Sequence, residues 1–492
     1  MTDRKTLLVL LIVVFVPSLL IRLHPTTSES FQYDAVVSQI AARSGPVANA
    51  LDTSGAFEAR RNHPPLLSYI IEVNNHVFGD GPFGARIFSI LFGSLACLAV
   101  SLAVASLLPQ VQIRVPVAII AGWLLCVLPV HLYVSRTSNW DAVYGFFATT
   151  SLLCMASYLL DGTISRLYAA ALFGSLAFLT CELGLSLLPA AGVVFLMDTV
   201  RMSRSRAVLR WAGVILFVGM LFMLLWPGGL LKLDLGRTLV YRWRDSAVEP
   251  RNLPWYMFYT ELFQQSPAFT LFMVLGIAIT LAVPIANADL RTKFSSRVQV
   301  ASLPFWIYVA VTFVLSLKDR LVYVHHIVDM FPPLVIAVCM ELAARVNERR
   351  VSAKRWALGI GVAAVALSAV AAFNPDPEVV GPQEHPGFLG VSEVLRDDPG
   401  ARVYCYDKTV LGFYLPQAVI EGGPNRLWTP DDVTMAKRGK YDFVVFDRAK
   451  LDKDYPDAEK LIDALGPEYQ LRHVIKHRRT EEPIAWILAP GP

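Results

Sequence analysis

Long apolar runs separated by short polar ones dominate most of the chain. They lie near 6–23, 85–108, 115–134, 141–160, 167–180, 183–198, 211–226, 267–286, 299–317, 324–344 and 357–373. Runs of this length exceed a barrel strand, and in lipid only helices or closed barrels satisfy every backbone group. The pattern therefore predicts about 11 transmembrane helices. The fifth and sixth runs are short, which predicts a hairpin that does not fully cross, with Cys181-Glu182 at its tip. Between the runs, Tyr33 to Arg43 and Pro65 to Phe78 carry helical apolar spacing, as expected of juxtamembrane helices lying along the membrane surface.

Beyond residue 373 the pattern changes. Arg402 to Tyr406, Phe443 to Phe446, Tyr469 to Ile475 and Ala485 to Leu488 read as strands, and 388–397 and 456–465 as helices. The expected architecture is an α-helical polytopic membrane protein with a small C-terminal α/β soluble domain, divided into 1–375 and 376–492. Charge follows the same division. Residues 374–492 hold 20 acids and 15 bases, whereas residues 1–373 hold 20 acids and 29 bases.

Composition narrows the classes. Of 492 residues 54% are apolar and 17% charged, against about 25% charged in soluble domains. Mean hydropathy is +0.48. An ordinary cytosolic enzyme, a disordered chain and a disulfide scaffold are excluded, and a net charge of +4 without a basic stripe gives nucleic acid nothing to bind. The six cysteines form no CxxC or other metal pattern.

Lysine and arginine set the orientation. With the N-terminus in the cytoplasm, the inner segments carry 16 basic residues, among them Arg114, Arg201, Arg204, Arg206 and Arg345. The outer segments before the tail carry 12 over a greater length. The first run starts with Arg4-Lys5 and lacks a small-x-small cleavage pattern, so it reads as an uncleaved anchor. The loops 24–84 and 227–266 and the tail then face outward, and loops of this length usually carry function.

Ionisable residues cluster at the outer ends of the runs. Glu29 and Asp34 follow the first; a carboxylate held there can accept a proton from an attacking hydroxyl, and equally can be a loop acid or a helix-start acid. Arg60, Arg61 and His63 precede Pro64-Pro65 and can hold phosphate or simply shape a turn. Asp141 begins the fourth run, where a cap is the alternative, and Glu182 stands with it. Lys318, Asp319, Arg320, His325, His326 and Asp329 precede Pro332-Pro333. Their bases suit a lipid phosphate, although snorkelling to the interface also accounts for them. Arg237, Arg242, Arg244 and Arg251 lie among Trp243, Trp255 and Tyr256 in the second long loop.

In order and spacing these clusters resemble the GT-C superfamily of membrane glycosyltransferases, in the branch of dolichyl-phosphate-mannose protein mannosyltransferases and aminoarabinose transferases. The resemblance is carried by Glu29 to Asp34, His63-Pro64-Pro65-Leu66 leading into Gly79-Asp80-Gly81-Pro82-Phe83-Gly84-Ala85-Arg86, Ser135-Arg136 with Asp141 and Phe146-Phe147, Leu179-Thr180, and His326 to Pro333. It implies an inverting glycosyltransferase of the plasma (inner) membrane. That enzyme takes a sugar from a polyprenyl-phosphate donor and passes it to a lipid, glycan or protein acceptor on the outer face. Glu29 or Asp34 takes the place of the family's first-loop acid: alignment on Tyr33 selects Glu29, and alignment on the surface helix selects Asp34. Asp141 supports it, and Arg60, Arg61, His63, Arg320, His325 and His326 are the candidates for donor phosphate. Some relatives bind a divalent metal near this site; no metal ligand is assigned here. The alternatives are a transporter or flippase of a lipid-linked sugar, and a scaffold whose tail binds a partner. Repeated halves and broken mid-membrane helices, expected of a transporter, are absent from the sequence pattern.

Overall fold

The computed structural model describes residues 3–23, 65–79, 84–108, 113–136, 140–226, 262–264, 266–286, 293–316, 328–347, 351–373, 387–405, 411–412, 414–422, 428–447, 455, 457–476 and 483–491. The predicted surface helix at Tyr33 to Arg43 lies outside them. Among the described residues six helices are long and apolar enough to cross a membrane: Arg4–Leu23, Gly84–Leu107, Asp141–Asp161, Leu183–Arg201, Arg204–Leu225 and Arg297–Val314. Shorter apolar helices cover Arg114–Cys126, Ile164–Thr180, Pro267–Ala278 and Leu358–Val370.

The first helix, α1 (Arg4–Leu23), is capped by Asp3, whose carboxylate accepts from the Thr6 N–H at 2.8 Å and the Thr6 hydroxyl at 2.9 Å. It contains a π-helical turn over Leu11–Phe15, just before Pro17. Proline supplies no N–H to the carbonyl four residues earlier and crowds it, and a helix relieves that strain with such a bulge. Helix α2 (Leu66–Phe78) occupies the predicted Pro65 to Phe78 stretch and ends at Gly79, whose φ of 81° suits glycine.

Helix α3 (Ile87–Leu107) is buried on nearly every side. Two of its hydroxyls return to the helix itself, Ser94 to the Ile90 carbonyl at 2.8 Å and Ser106 to the Leu102 carbonyl at 2.6 Å. The run predicted as one span at 115–134 is two pieces, α4 (Arg114–Cys126) and α5 (Pro129–Val134). Pro129 explains the break: Leu128, the residue before it, is extended (φ −70°, ψ 117°). Helix α6 (Asp141–Asp161) ends at Gly162, left-handed at φ 68°, whose N–H bonds the Tyr158 carbonyl at 2.7 Å.

Helix α7 (Ile164–Thr180) leads through a 3-10 segment (Glu182–Leu187) into α8 (Leu188–Arg201). Helix α7 starts three residues before the predicted run at 167–180, and the 19-residue stretch Leu183–Arg201 is long and apolar enough to cross a membrane, which the short sixth run did not suggest. Helix α9 (Arg204–Leu225) leaves Leu209, Leu216, Met220 and Leu224 each at least 69% exposed. In water such a face is a liability; against lipid it is ordinary. Helices α10 (Pro267–Ala286), α11 (Lys293–Ser316), α12 (Phe331–Asn347) and α13 (Val351–Phe373) complete this unit.

The C-terminal residues form a separate unit around a five-stranded sheet in the order β2-β1-β3-β5-β4. Strand β1 (Arg402–Cys405) pairs in parallel with β2 (Val419–Glu421) and β3 (Phe443–Asp447). Strand β5 (Pro483–Pro490) runs antiparallel to β3 and to β4 (Tyr469–Lys476). Helices α14 (Phe388–Leu395), α15 (Pro430–Gly439) and α16 (Ala458–Leu465) belong to the same unit. Val444, Val445 and Phe446 are fully buried, as expected of a strand covered on both faces. The edge strand β4 is largely exposed and carries Arg472 and Lys476, charges that discourage pairing with another chain. Strand β2 and helix α15 were not foreseen: three residues are too few for an alternation. A capping box, Thr429 with Asp432, starts α15.

Candidate functional site

The chemistry in the membrane unit gathers at the Asp141 end of α6. Asp141 sits in the first turn, where the helix dipole favours negative charge, and is only 2% exposed. One turn on, on the same face, Tyr144 is fully buried. Its hydroxyl lies 2.7 Å from that of Tyr308 on α11, 3.0 Å from the Leu183 carbonyl and 3.2 Å from the Ser186 hydroxyl. Tyr308 in turn donates to Asp329 Oδ2 at 3.0 Å. Asp329, just before α12, is 4% exposed.

Proton counting orients this chain of bonds. With Asp329 ionised, the one hydrogen of Tyr308 goes to that carboxylate, and the 2.7 Å contact is then made by Tyr144 donating to Tyr308. The Leu183 carbonyl is then served by Ser186, which donates to it at 2.6 Å. The result is a one-way relay, Tyr144 to Tyr308 to Asp329, that ties α6, α11 and the start of α12 together. Each hydrogen bond to a charged group contributes about 1.5–3 kcal/mol.

A second polar cluster surrounds Arg22, which is fully buried near the end of α1. Its Nη1 donates to the Ser18 hydroxyl at 2.6 Å, the Ser18 carbonyl at 3.2 Å and Cys126 Sγ at 3.7 Å. Its Nη2 donates to Cys97 Sγ at 3.5 Å and to His131 Nδ1 at 2.8 Å. A guanidinium only donates, so His131 accepts: the ring is neutral and its hydrogen is on Nε2. Among the described residues no carboxylate faces Arg22. Arg136 donates to the Ile21 carbonyl at 2.6 Å, satisfying one of the orphan acceptors at the end of α1. Gly93 leaves room for this cluster: a Cβ there would run into Ser135 Oγ and stand 3.2 Å from Arg22 Nε.

The opposite end of α6, about 25 Å along its axis, carries a different node. Asp198 Oδ2 accepts from the Tyr158 hydroxyl at 2.7 Å and the Trp211 indole at 3.0 Å, and Arg210 also donates to Tyr158. Glu341, on α12, accepts from Ser302 at 2.8 Å and lies 3.9 Å from Arg345. These acids anchor helix ends.

Of the residues singled out from sequence, Asp141 and Asp329 are placed in the polar end. Glu29, Asp34, Arg60, Arg61, His63, Arg320, His325 and His326 lie outside the described residues, as does the Glu182 side chain. Among the described residues no group of three or more His, Cys, Asp or Glu could hold a metal ion. Sequence reasoning passed over Arg22, His131, Tyr144 and Tyr308. Arg22 and His131 had a usable signal, being ionisable groups inside apolar runs. The tyrosines had none, because a tyrosine in a span is ordinary.

The described residues thus bring buried acids and phenols together at one end of α6. Residues 62–226 match the family described as dolichyl-phosphate-mannose-protein mannosyltransferase. The fold is similar to that of ArnT from Cupriavidus metallidurans. Its apo crystal structure aligns at a TM-score of 0.59 and 15% identity, over 96% of this chain and 97% of that one. The same protein bound to undecaprenyl phosphate aligns at 0.58 and 15%, with the same coverage. Arabinofuranosyltransferase AftD from Mycobacteria gives 0.49 at 15% identity, over 100% of this chain and 42% of that one. No curated protein is a significant sequence match. The family match over 62–226 and the ArnT alignments bear out the resemblance to the GT-C superfamily of membrane glycosyltransferases and the character of the chain as an integral membrane protein.

Proposed function

We propose that this chain is an inverting glycosyltransferase that moves a sugar from a polyprenyl-phosphate donor to a lipid, glycan or protein acceptor on the outer face of the plasma (inner) membrane. In this reading about 11 spans place the N-terminus in the cytoplasm. Residues 1–375 form the catalytic domain, and 376–492 form an outer α/β domain. The observation that carries the reading is the buried Asp141, one turn from the Tyr144–Tyr308–Asp329 relay, in a bundle with the ArnT fold. That ArnT has been seen with undecaprenyl phosphate supports the donor class.

The chemistry follows from the donor. The acceptor oxygen attacks the anomeric carbon on the face opposite the phosphate. The bond between carbon and phosphate oxygen breaks, configuration inverts, and polyprenyl phosphate leaves with the bonding pair. The acceptor's proton passes to Glu29 or Asp34, with Asp141 in support. Arg60, Arg61, His63, Arg320, His325 and His326 supply positive or hydrogen-bonding groups for the phosphate as its charge grows. The relay holds the start of α6 to the start of α12, which keeps Asp141 in one place.

The test uses purified full-length protein with radiolabelled polyprenyl-phosphate sugars and membrane acceptors. Wild type should transfer label; Glu29→Gln or Asp34→Asn should abolish transfer while donor binding persists. Normal turnover by both single variants and the double variant sinks the assignment, as does vectorial movement of the lipid-linked sugar without transfer.

A further inference from the structure

Arginine is among the most expensive residues to place inside a membrane helix, yet Arg22 is fully buried in α1. Its bonds are not to a counter-ion. They run to Ser18 on its own helix, Cys97 on α3, Cys126 on α4 and His131 on α5. An apolar side chain of the same volume would pack here without desolvating a charge. What the planar fork adds is direction, since one rigid group bonds four elements at fixed angles.

Two further contacts show that α1 is docked along its length. At its start Asp3 pairs with Arg114 of α4 at 3.3 Å. In its middle the Trp123 indole bonds the Val13 carbonyl at 3.0 Å. Arg22 forms the third contact, and Arg136 closes the end by holding the Ile21 carbonyl. The contact at Arg22 comes two residues before the segment that carries Glu29 and Asp34.

We propose that Arg22 is a positioning residue: with His131 it latches the end of α1 to α5 and fixes the point at which the chain leaves the bundle toward the first-loop acids. The role rests on the reading that one of those acids sits at the reacting centre. A latch of this kind acts on the geometry of the reacting groups and leaves the donor's own contacts alone. A misplacement of about 1 Å at a reacting centre costs up to about 100-fold in rate.

The experiment compares wild type, Arg22→Gln, Arg22→Lys, His131→Leu and His131→Asn as full-length protein in detergent or nanodiscs. Transfer kinetics give kcat and the donor KM, and hydrogen exchange is followed in peptides covering residues 16–36. Arg22→Gln should lower kcat at least about 10-fold with donor KM within about threefold, and should speed exchange in those peptides. His131→Leu should resemble it. His131→Asn, which keeps an acceptor for the guanidinium, should recover most of the loss, and the Arg22→Gln/His131→Leu double variant should be no worse than either single one. Arg22→Lys keeps charge and length in case the glutamine variant does not fold; with one ammonium in place of the fork it should be intermediate. Unchanged exchange in Arg22→Gln overturns the latch, and so does a lysine variant indistinguishable from wild type. Faster exchange with undiminished transfer keeps the latch and overturns instead the placement of the chemistry in the first loop. Loss of donor binding in step with kcat overturns the positioning role in favour of general destabilisation.

Discussion

Trp123 of α4 donates its indole N–H to the Val13 carbonyl of α1 at 3.0 Å, the carbonyl to which Pro17, four residues on, can donate nothing. The sequence places the defect and its repair more than a hundred positions apart. Trp123→Phe keeps the ring and removes the donor, and should destabilise the folded protein by about 1 kcal/mol. Pro17→Ala restores a backbone donor, so in the Trp123→Phe background it should return part of that loss. Thermal melting of the two single variants and the pair measures this. A pair whose effects simply add would show that the two residues do not serve the same carbonyl.

The relay gives a sharper test. Tyr308→Phe removes one donor from the buried Asp329 carboxylate and the acceptor for Tyr144, at an expected cost of about 1–3 kcal/mol. Tyr144→Phe leaves the Tyr308–Asp329 bond intact, so it should cost less. Because one hydroxyl supplies the other, the double variant should be less damaging than the sum, by at least about 0.5 kcal/mol. Chemical denaturation of the four proteins reads the coupling. Strict additivity would mean that the 2.7 Å contact contributes no coupled hydrogen bond.

Gly93 makes a packing prediction. Its Cβ position is taken by Ser135 Oγ and lies 3.2 Å from Arg22 Nε. Gly93→Ala should therefore push α3 away from this cluster and cost about 1–3 kcal/mol as overpacking, whereas Gly145→Ala, whose Cβ would meet nothing within 4 Å, should be neutral or mildly stabilising in α6. Melting temperatures of the two variants in the same detergent decide it; equal shifts would refute the crowding at Gly93.

These relationships mark how far the sequence can be read. Apolar run length placed the helices, because lipid forbids unsatisfied backbone and leaves few solutions. Breaks inside a run were harder. Pro129 splits the third run, where Leu128 before it is extended, whereas Pro17 only bulges the first, whose freed Val13 carbonyl accepts from Trp123. Asp141 was legible as an acid at the start of a span. Its neighbours Tyr144 and Tyr308 were not, since 164 positions separate them and nothing in either residue announces a partner. Arg22 was visible as a charge inside an apolar run, but its partners on other helices are two thiols and a histidine, and no pattern of opposite charge points to them. In the tail, β3 was legible from its buried run, whereas the three-residue β2 has no periodicity to detect.

The tail domain yields a pH prediction whose sign can be worked out. Glu421 accepts from the Tyr441 hydroxyl at 2.7 Å and from Arg402 at 3.1 Å. The Tyr441 bond first, and Arg402 second, hold its carboxyl below the ordinary 4.5. A group depressed in the fold contributes stability above its unfolded value, and loses that contribution as pH falls through the folded one. Tyr441 moves the other way: burial first, then Glu421, push its phenol up to about 12. Its contribution is complete below the ordinary 10.0 and is lost as pH climbs toward about 12. The pair should thus stabilise the domain over a plateau between the two ordinary values and fail on both sides. Both Glu421 and Arg402 are nearly half exposed, so solvent screens the ion pair and the effect should be small. Tyr441→Phe removes the phenol and one of the carboxylate's donors together. Its melting-temperature deficit in the full-length protein should be constant from about pH 6 to 9 and shrink below about pH 4 and above about pH 10. A deficit that does not change across the whole range would mean that the Tyr441 ring, and not its hydroxyl on Glu421, is what the domain uses.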